Sequence, residues 1–282
     1  MRIGGPVFVR SEDPEELVRA HHKKGYRAGL CPDFLKLEDT RQIAAVRETF
    51  AAGDIVIAEV GAWCNPLTLH ADEARKNIDY VAGRLALADE VDAKCCVNIV
   101  GTWSEANWYG PDAKNYSADF FDHAVDVSRQ IIDQVNPKRT QMTFELMPYS
   151  FLDSASEYMR FLKALDRPAA GVHFDPVNCI SSARLYYNST AFFKDCFAIF
   201  GDDIASIHLK DIKIRSEPFS VMFDEVPIGT GQIDYVALMN MLAKLPEDTP
   251  VLLEHLPDEA AYDKAAGVVR ASAEKAGVSL SL

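Results

Sequence analysis

The sequence lacks the marks of several protein classes. None of its six cysteines (Cys31, Cys64, Cys95, Cys96, Cys179 and Cys196) forms a C-x-x-C pair, and their spacing matches no zinc motif. Most lie in apolar, strand-like segments, where they read as reduced, buried thiols. No apolar run approaches the roughly 18 residues of a membrane helix, so no membrane partner is expected. The opening MRIGGPVFVRSEDPEE turns acidic too early for a signal or transit peptide, and the protein reads as cytoplasmic. There is no Lys/Arg-rich run, and the net charge is −13. A nucleic-acid backbone needs a basic stripe, so it is excluded as a partner. No G-x-G-x-x-G follows the first strand-like segment, which leaves a dinucleotide site without support. Low-complexity stretches and Ser/Gly-rich linkers are also missing.

What is present is a repeated alternation of short apolar runs with segments of helical period, the pattern of βα units around a parallel sheet. The runs are Arg2–Gly4, Tyr26–Cys31, Asp54–Trp63, Cys95–Gly101, Gln141–Met147, Ala169–Asp175, Ile204–Ile212 and Pro250–Leu256. The first helix opens at Asp13-Pro14-Glu15-Glu16, with an N-cap, a proline at the first helical position and early carboxylates, and it stops near Gly25. Further helices are expected over Asp39–Ala52, His70–Val91, Ser117–Val135, Asp153–Leu165, Ser189–Phe200, Asp234–Lys244 and Glu259–Ala276. Eight strand–helix pairs with nothing left over predict an α/β fold, a single (β/α)8 TIM barrel forming one domain over residues 1–282. An open doubly wound sheet is the alternative.

The informative residues are the charges in the last four runs. An ionisable group in a buried parallel strand costs several kcal/mol unless it is paired or bound to a metal. Yet Glu145 sits in MTFELMP, Asp175 in GVHFDPVN, His208 in IASIHLKD and Glu254 in VLLEHLP. Pro148, Pro176 and Pro257 each follow within three residues and mark the strand ends. All four groups therefore belong to the C-terminal rim, where barrel enzymes carry their active sites. Three carboxylates and one imidazole converging there need a cation. Mostly oxygen donors with one nitrogen suit Mn²⁺ best, with Mg²⁺ or Co²⁺ as alternatives, over a tetrahedral structural zinc. Taken singly, each residue is equally explained as a solvated strand-end charge or an ion pair.

These motifs, with the turn Gly229-Thr-Gly231-Gln-Ile-Asp234, resemble the xylose isomerase-like barrel superfamily across essentially the whole chain. Within it, the sequence is similar to the sugar isomerase and epimerase branch that includes tagatose 3-epimerase-like enzymes and inosose dehydratases. The resemblance implies one divalent metal held by Glu145, Asp175, His208 and Glu254. It also implies that Glu145 and Glu254 form the catalytic acid/base pair on opposite faces of the substrate. The sequence departs from the epimerase pattern on the substrate side. Asn178 stands where those enzymes have a histidine, Phe151 where they have a glutamate, and Ile214 where they have an arginine, with Arg215 one step on.

Beyond the metal set, Asn178, Arg215 and Glu59 are candidate substrate contacts. So is Lys210, which shares a strand face with His208; an ion pair with Asp211 or a rim carboxylate is its alternative. His173 is expected one layer below Asp175 as a supporting or packing residue, and His255 is expected to face the helices and be buried. The segment 101–110 brings Trp103, Trp108 and Tyr109 onto the rim, as a lid over a sugar or as a packed cluster. The glycines at 229 and 231 are expected to make the turn, with Asp234 as an N-cap.

The expected function is isomerisation or epimerisation of a sugar or keto-sugar. A proton is taken next to a metal-polarised carbonyl, through an enediolate. A lyase or dehydratase acting on a keto-sugar or keto-inositol uses the same metal and base and is the second reading. A multi-zinc endonuclease is disfavoured by the seven histidines, most of them off the rim, and by the acidic charge. A non-catalytic barrel would bind no metal or exchange no substrate protons. The expected partner is a small sugar-like molecule, and a homo-oligomer is compatible with the sequence.

Overall fold

Helices in the protein begin where short polar side chains can satisfy the free amides of a first turn. The computed structural model describes residues 1–217 and 219–281. After β1 (Arg2–Gly4), Asp13 accepts the Glu15 amide to start α1 (Pro14–Lys24), which ends at Gly25 with φ 65°. Asp39, Ser117, Ser154, Asp234 and Asp258 cap later helices in the same way. The remaining strands and helices follow in alternation. They are β2 (Ala28–Leu30), α2 (Thr40–Ala52), β3 (Val56–Gly61), α3 (Ala71–Val91), β4 (Cys95–Ile99), α4 (Ala118–Val135), β5 (Gln141–Glu145), α5 (Ala155–Leu165) and β6 (Ala170–Phe174). Then come the short α6 (Ala183–Tyr187), α7 (Ser189–Phe200), β7 (Ile204–Leu209), the hairpin β8 (Asp211–Ile214) and β9 (Phe223–Val226), α8 (Tyr235–Leu242), β10 (Pro250–Leu253) and α9 (Glu259–Ala276).

Seven strands, β1 to β7, and β10 pair in parallel and close on themselves, β1 bonding to both β2 and β10. The result is a single (β/α)8 barrel. Val, Ile, Leu and Phe side chains between strands and helices are almost completely buried and supply the main apolar driving force. The expected continuous strand Ile204–Ile212 is corrected. It ends at Leu209, and the chain leaves the barrel at Asp211 as an antiparallel hairpin with β9. Leu209 and Ile212 flank the break with apolar residues, and Lys210 and Asp211 between them carry no turn signal, so the sequence does not mark it. Among the described residues, no helix is long and apolar enough to cross a membrane.

Two details position the site. The fully buried Tyr158 hydroxyl inserts between β5 and β6. It accepts the Phe144 amide at 2.9 Å and lies 2.7 Å from the Phe144 carbonyl and 3.0 Å from that of Gly171. These contacts pin the two strands just below Glu145 and His173. On the other side of the rim, Asn65 joins the loops after β3 and β4. Its Oδ1 accepts the Leu67 and Thr102 amides, and its Nδ2 donates to the Thr102 carbonyl.

Candidate metal and active site

Glu145 is the last residue of β5, Asp175 follows β6, His208 is next to last in β7, and Glu254 follows β10. Their side chains converge at the barrel's C-terminal mouth. One donor atom from each lies within 4.8 Å of all the others. Asp175 is 0% exposed, His208 2% and Glu145 7%. Asp175 also accepts the Val177 and Asn178 amides through Oδ1, so the turn at Pro176 holds its carboxylate in place.

The donor set fits a divalent cation. Asp175 Oδ2, Glu254 Oε2 and His208 Nδ1 are buried and make no hydrogen bond of acceptable angle. His208 Nδ1 lies 2.9 Å from Glu254 Oε2 and 3.6 Å from Glu145 Oε1. Donor atoms gathered this closely can serve as ligands of a shared ion. Oxygen donors with one imidazole nitrogen match octahedral Mn²⁺ or Mg²⁺.

Electrostatics in the cluster are dominated by burial and opposite charge. Burial works against the His208 cation, but the Glu59, Glu254 and Glu145 carboxylates outweigh it and raise its pKa well above the ordinary value. For Glu145 burial prevails, raising its pKa despite His208 and Lys210. Glu254 is also penalised by burial, yet His208 and Lys210 hold it well below the usual carboxylate range. Lys210 is 4% exposed. Its ammonium lies 2.8 Å from Asp175 Oδ2, 2.9 Å from Glu254 Oε2, 3.7 Å from Glu145 Oε1 and 3.8 Å from Glu225 Oε1. Those carboxylates keep it charged against the cost of burial.

The other sequence candidates land in several places. Asn178 reaches the cluster, its Nδ2 donating to Glu145 Oε1 at 3.1 Å. Glu59, expected at the substrate, is corrected to a position beneath the cluster. It is 3% exposed, and its oxygens accept from His208 Nε2 at 3.1 Å and Ser206 Oγ at 3.0 Å. Its strand ends higher up, at Gly61, so Glu59 stands too deep to face the mouth.

Arg215 follows β8 and is ion-paired within the hairpin. Its Nε lies 2.8 and 2.9 Å from the Asp224 oxygens across the hairpin, in a pairing invisible before β8 and β9 were known. Of the two ion pairs expected for Lys210, the one with rim carboxylates forms and the one with Asp211 does not. Asp211 Oδ2 takes the Gly229 and Gly231 amides, and its Oδ1 takes those of Ile212 and Ile233, so it organises the glycine turn.

His173 lies one layer down, as expected. Its ring centroid is 4.1 Å from that of His208, both nitrogens lack partners, and burial first and then the His208 charge push its pKa down to about 3. His255 is corrected from buried to 55% side-chain exposure. The strand stops before it and the backbone turns at φ 55°, breaking the period of two; its Nδ1 meets Glu225 at 2.8 Å. Trp103 packs edge-to-face on Phe120 at 5.1 Å, whereas Trp108 and Tyr109 pack on each other and stay exposed at the loop tip.

Sequence reasoning missed Asn115. Asn115 Oδ1 accepts the Trp103 amide, while its Nδ2 donates to Thr102 Oγ1 and the Tyr149 carbonyl. Buried asparagines in loops leave no periodic signal.

The chain belongs to the xylose isomerase-like TIM barrel family, whose profile matches residues 18–272. No protein of curated function matches the sequence. Among solved structures, it is similar to apo 3-keto-D-glucoside 4-epimerase YcjR from E. coli. The TM-score is 0.69 at 14% identity, covering 96% of this chain and 99% of that one. It is similar to the probable 3-DHS dehydratase AsbF of Bacillus anthracis, involved in petrobactin synthesis, with TM-score 0.66, 14% identity and coverage of 90% and 92%. A xylose isomerase-like TIM barrel protein from Mycobacterium smegmatis, in complex with magnesium, gives TM-score 0.63 at 15% identity, with 93% and 88% covered. At such identities the likeness concerns the fold.

Proposed function

We propose that the protein is a divalent-metal-dependent isomerase or epimerase of a keto-sugar, with Glu145, Asp175, His208 and Glu254 holding the ion and Mn²⁺ as the ion that suits them best. The observation that carries this reading is the convergence of four donors from consecutive inward-facing strand ends, with three of their atoms left without hydrogen bonds. The bound cation would supply Lewis acidity toward a carbonyl and its neighbouring hydroxyl, making the adjacent C–H more acidic.

The chain's own residues then divide the work. Glu145 and Glu254 enter from non-adjacent strands, β5 and β10, and serve as the groups that remove a proton and return one from the other face. Asn178 holds Glu145 Oε1 and restricts its rotation. Glu59 holds His208 from below, leaving Nδ1 to face the cluster. Asp175 and His208, almost fully buried, form the floor of the mouth.

A second reading, dehydration of a keto-sugar or keto-inositol, is favoured by one feature. The Lys210 ammonium stands among the same carboxylates and offers a proton to a departing hydroxyl. Incubation with Mn²⁺ and keto-sugars in D₂O separates the two. Solvent deuterium in an epimerised or isomerised product supports the first, and an unsaturated product supports the second. No exchange with any keto-sugar or keto-inositol, in protein that binds the metal, would sink both.

A further inference from the structure

We infer that the Lys210 ammonium and the divalent cation compete for the same carboxylate cage, so that Lys210 is a tethered counter-ion which must leave before the metal can be held. The inference rests on the proposed metal site and adds an occupant to it. Lys210 Nζ is within 2.9 Å of Asp175 Oδ2 and Glu254 Oε2 and within 3.7 Å of Glu145 Oε1, three of the four proposed ligands. Of those oxygens, Asp175 Oδ2 makes no hydrogen bond, and Glu254 Oε2 has besides Lys210 only His208 Nδ1 at 2.9 Å. A divalent ion bound to the same oxygens would sit about 2.0–2.2 Å from each. An ammonium already in contact with them cannot remain there at the same time, on grounds of both volume and like charge.

The lysine has somewhere to go. A cavity of about 200 Å³ opens beside it, between the hairpin and the end of β10, lined among others by Lys210, Glu225, Val226, Glu254, His255 and Pro257. Glu225 Oε1 is already 3.8 Å from Nζ. A rotation of the side chain toward Glu225 keeps the ammonium beside a carboxylate and carries it from the bottom of the mouth to its wall. The exchange protects the buried Asp175 and Glu145 carboxylates and the partly buried Glu254 when no metal is present, since an unpaired buried charge is strongly destabilising. It also ties the position of Lys210 to metal occupancy.

Calorimetric titration of Mn²⁺ into the metal-stripped chain tests this, comparing wild type, Lys210→Met and Lys213→Met, the last an exposed lysine on β8. Lys210→Met is expected to bind Mn²⁺ about tenfold or more tightly, with Lys213→Met unchanged. Metal-free Lys210→Met should also melt below metal-free wild type and recover when Mn²⁺ is added. In the unaltered chain, acetylation of Lys210 by an amine reagent, read by peptide mass spectrometry, should rise on Mn²⁺ loading. Equal affinity in wild type and Lys210→Met, equal tightening by Lys213→Met, or acetylation unaffected by Mn²⁺ each overturns the exchange. Failure of the wild type and of both variants to bind Mn²⁺ or Mg²⁺ overturns the metal site itself, and the exchange with it.

Discussion

Glu59 Oε1 accepts the Nε2 proton of His208 at 3.1 Å while Ser206 holds the other carboxylate oxygen. A buried carboxylate behind a histidine fixes which ring nitrogen is free and where it points. Glu59→Ala should therefore weaken Mn²⁺ binding about 10–100-fold. Glu59→Gln, whose amide oxygen still accepts that proton, should lose much less. Wild-type affinity in Glu59→Ala, measured by calorimetry, would show that His208 needs no such support.

Glu145 and Glu254 are the proposed proton-transfer pair. Replacing either with Gln keeps the shape but removes the base, and kcat is expected to fall about 10²–10⁴-fold. Circular dichroism checks that the variants fold. Near-normal turnover in either one removes that residue from the acid–base role.

Asp211 accepts four backbone amides with one buried carboxylate. In Asp211→Asn the side-chain NH₂ must face two of those donors. The expected cost is about 2–3 kcal/mol, or a melting temperature lower by about 3–5 °C. A melting curve unchanged by the substitution contradicts the assignment of Asp211 as the organiser of the 228–233 turn.

His21 governs an acid-sensitive part of the stability. It is 3% exposed, its Nδ1 donates to the Leu17 carbonyl, and burial lowers its pKa from 6.5 despite that hydrogen bond. The unfolded chain therefore takes up a proton near pH 6.5 that the folded chain refuses. Stability is full above that pH and falls as the pH drops below it, toward the lower native pKa. In urea unfolding between pH 8 and pH 5, His21→Gln should lose less stability on acidification than wild type. Parallel pH profiles rule this out.

All six cysteines are unpaired, and five are buried. Burial pushes the thiols of Cys31, Cys64, Cys95 and Cys196 up to about 12, leaving almost no thiolate at neutral pH. A thiol reagent at pH 8 should give little colour with the native chain and titrate all six thiols in denaturant. Rapid reaction of the native chain would mean a site more open than the packing shows.

Strand and helix positions were readable because burial imposes periodicity. Capping residues Asp13 and Asp234 marked helix starts by the same local rule in sequence and structure. Period-two reasoning also placed Lys210 in the mouth with His208, and His173 one layer below. It failed at His255, where the strand had already ended, and at Glu59, where the question was depth and not face. The pairing of Arg215 with Asp224 depends on a hairpin whose second strand lies nine residues further on, and no local pattern announces it.

The sequence by itself determined the alternation of strands and helices and the rim on which the four proposed ligands stand, because both follow from spacing along a single element. Only the tertiary structure decided which groups share an ion's volume, which carboxylate stands behind His208, and that Lys210 reaches the same oxygens. Those are distances between different strands. Closure of the barrel sets them, and no stretch of sequence contains them.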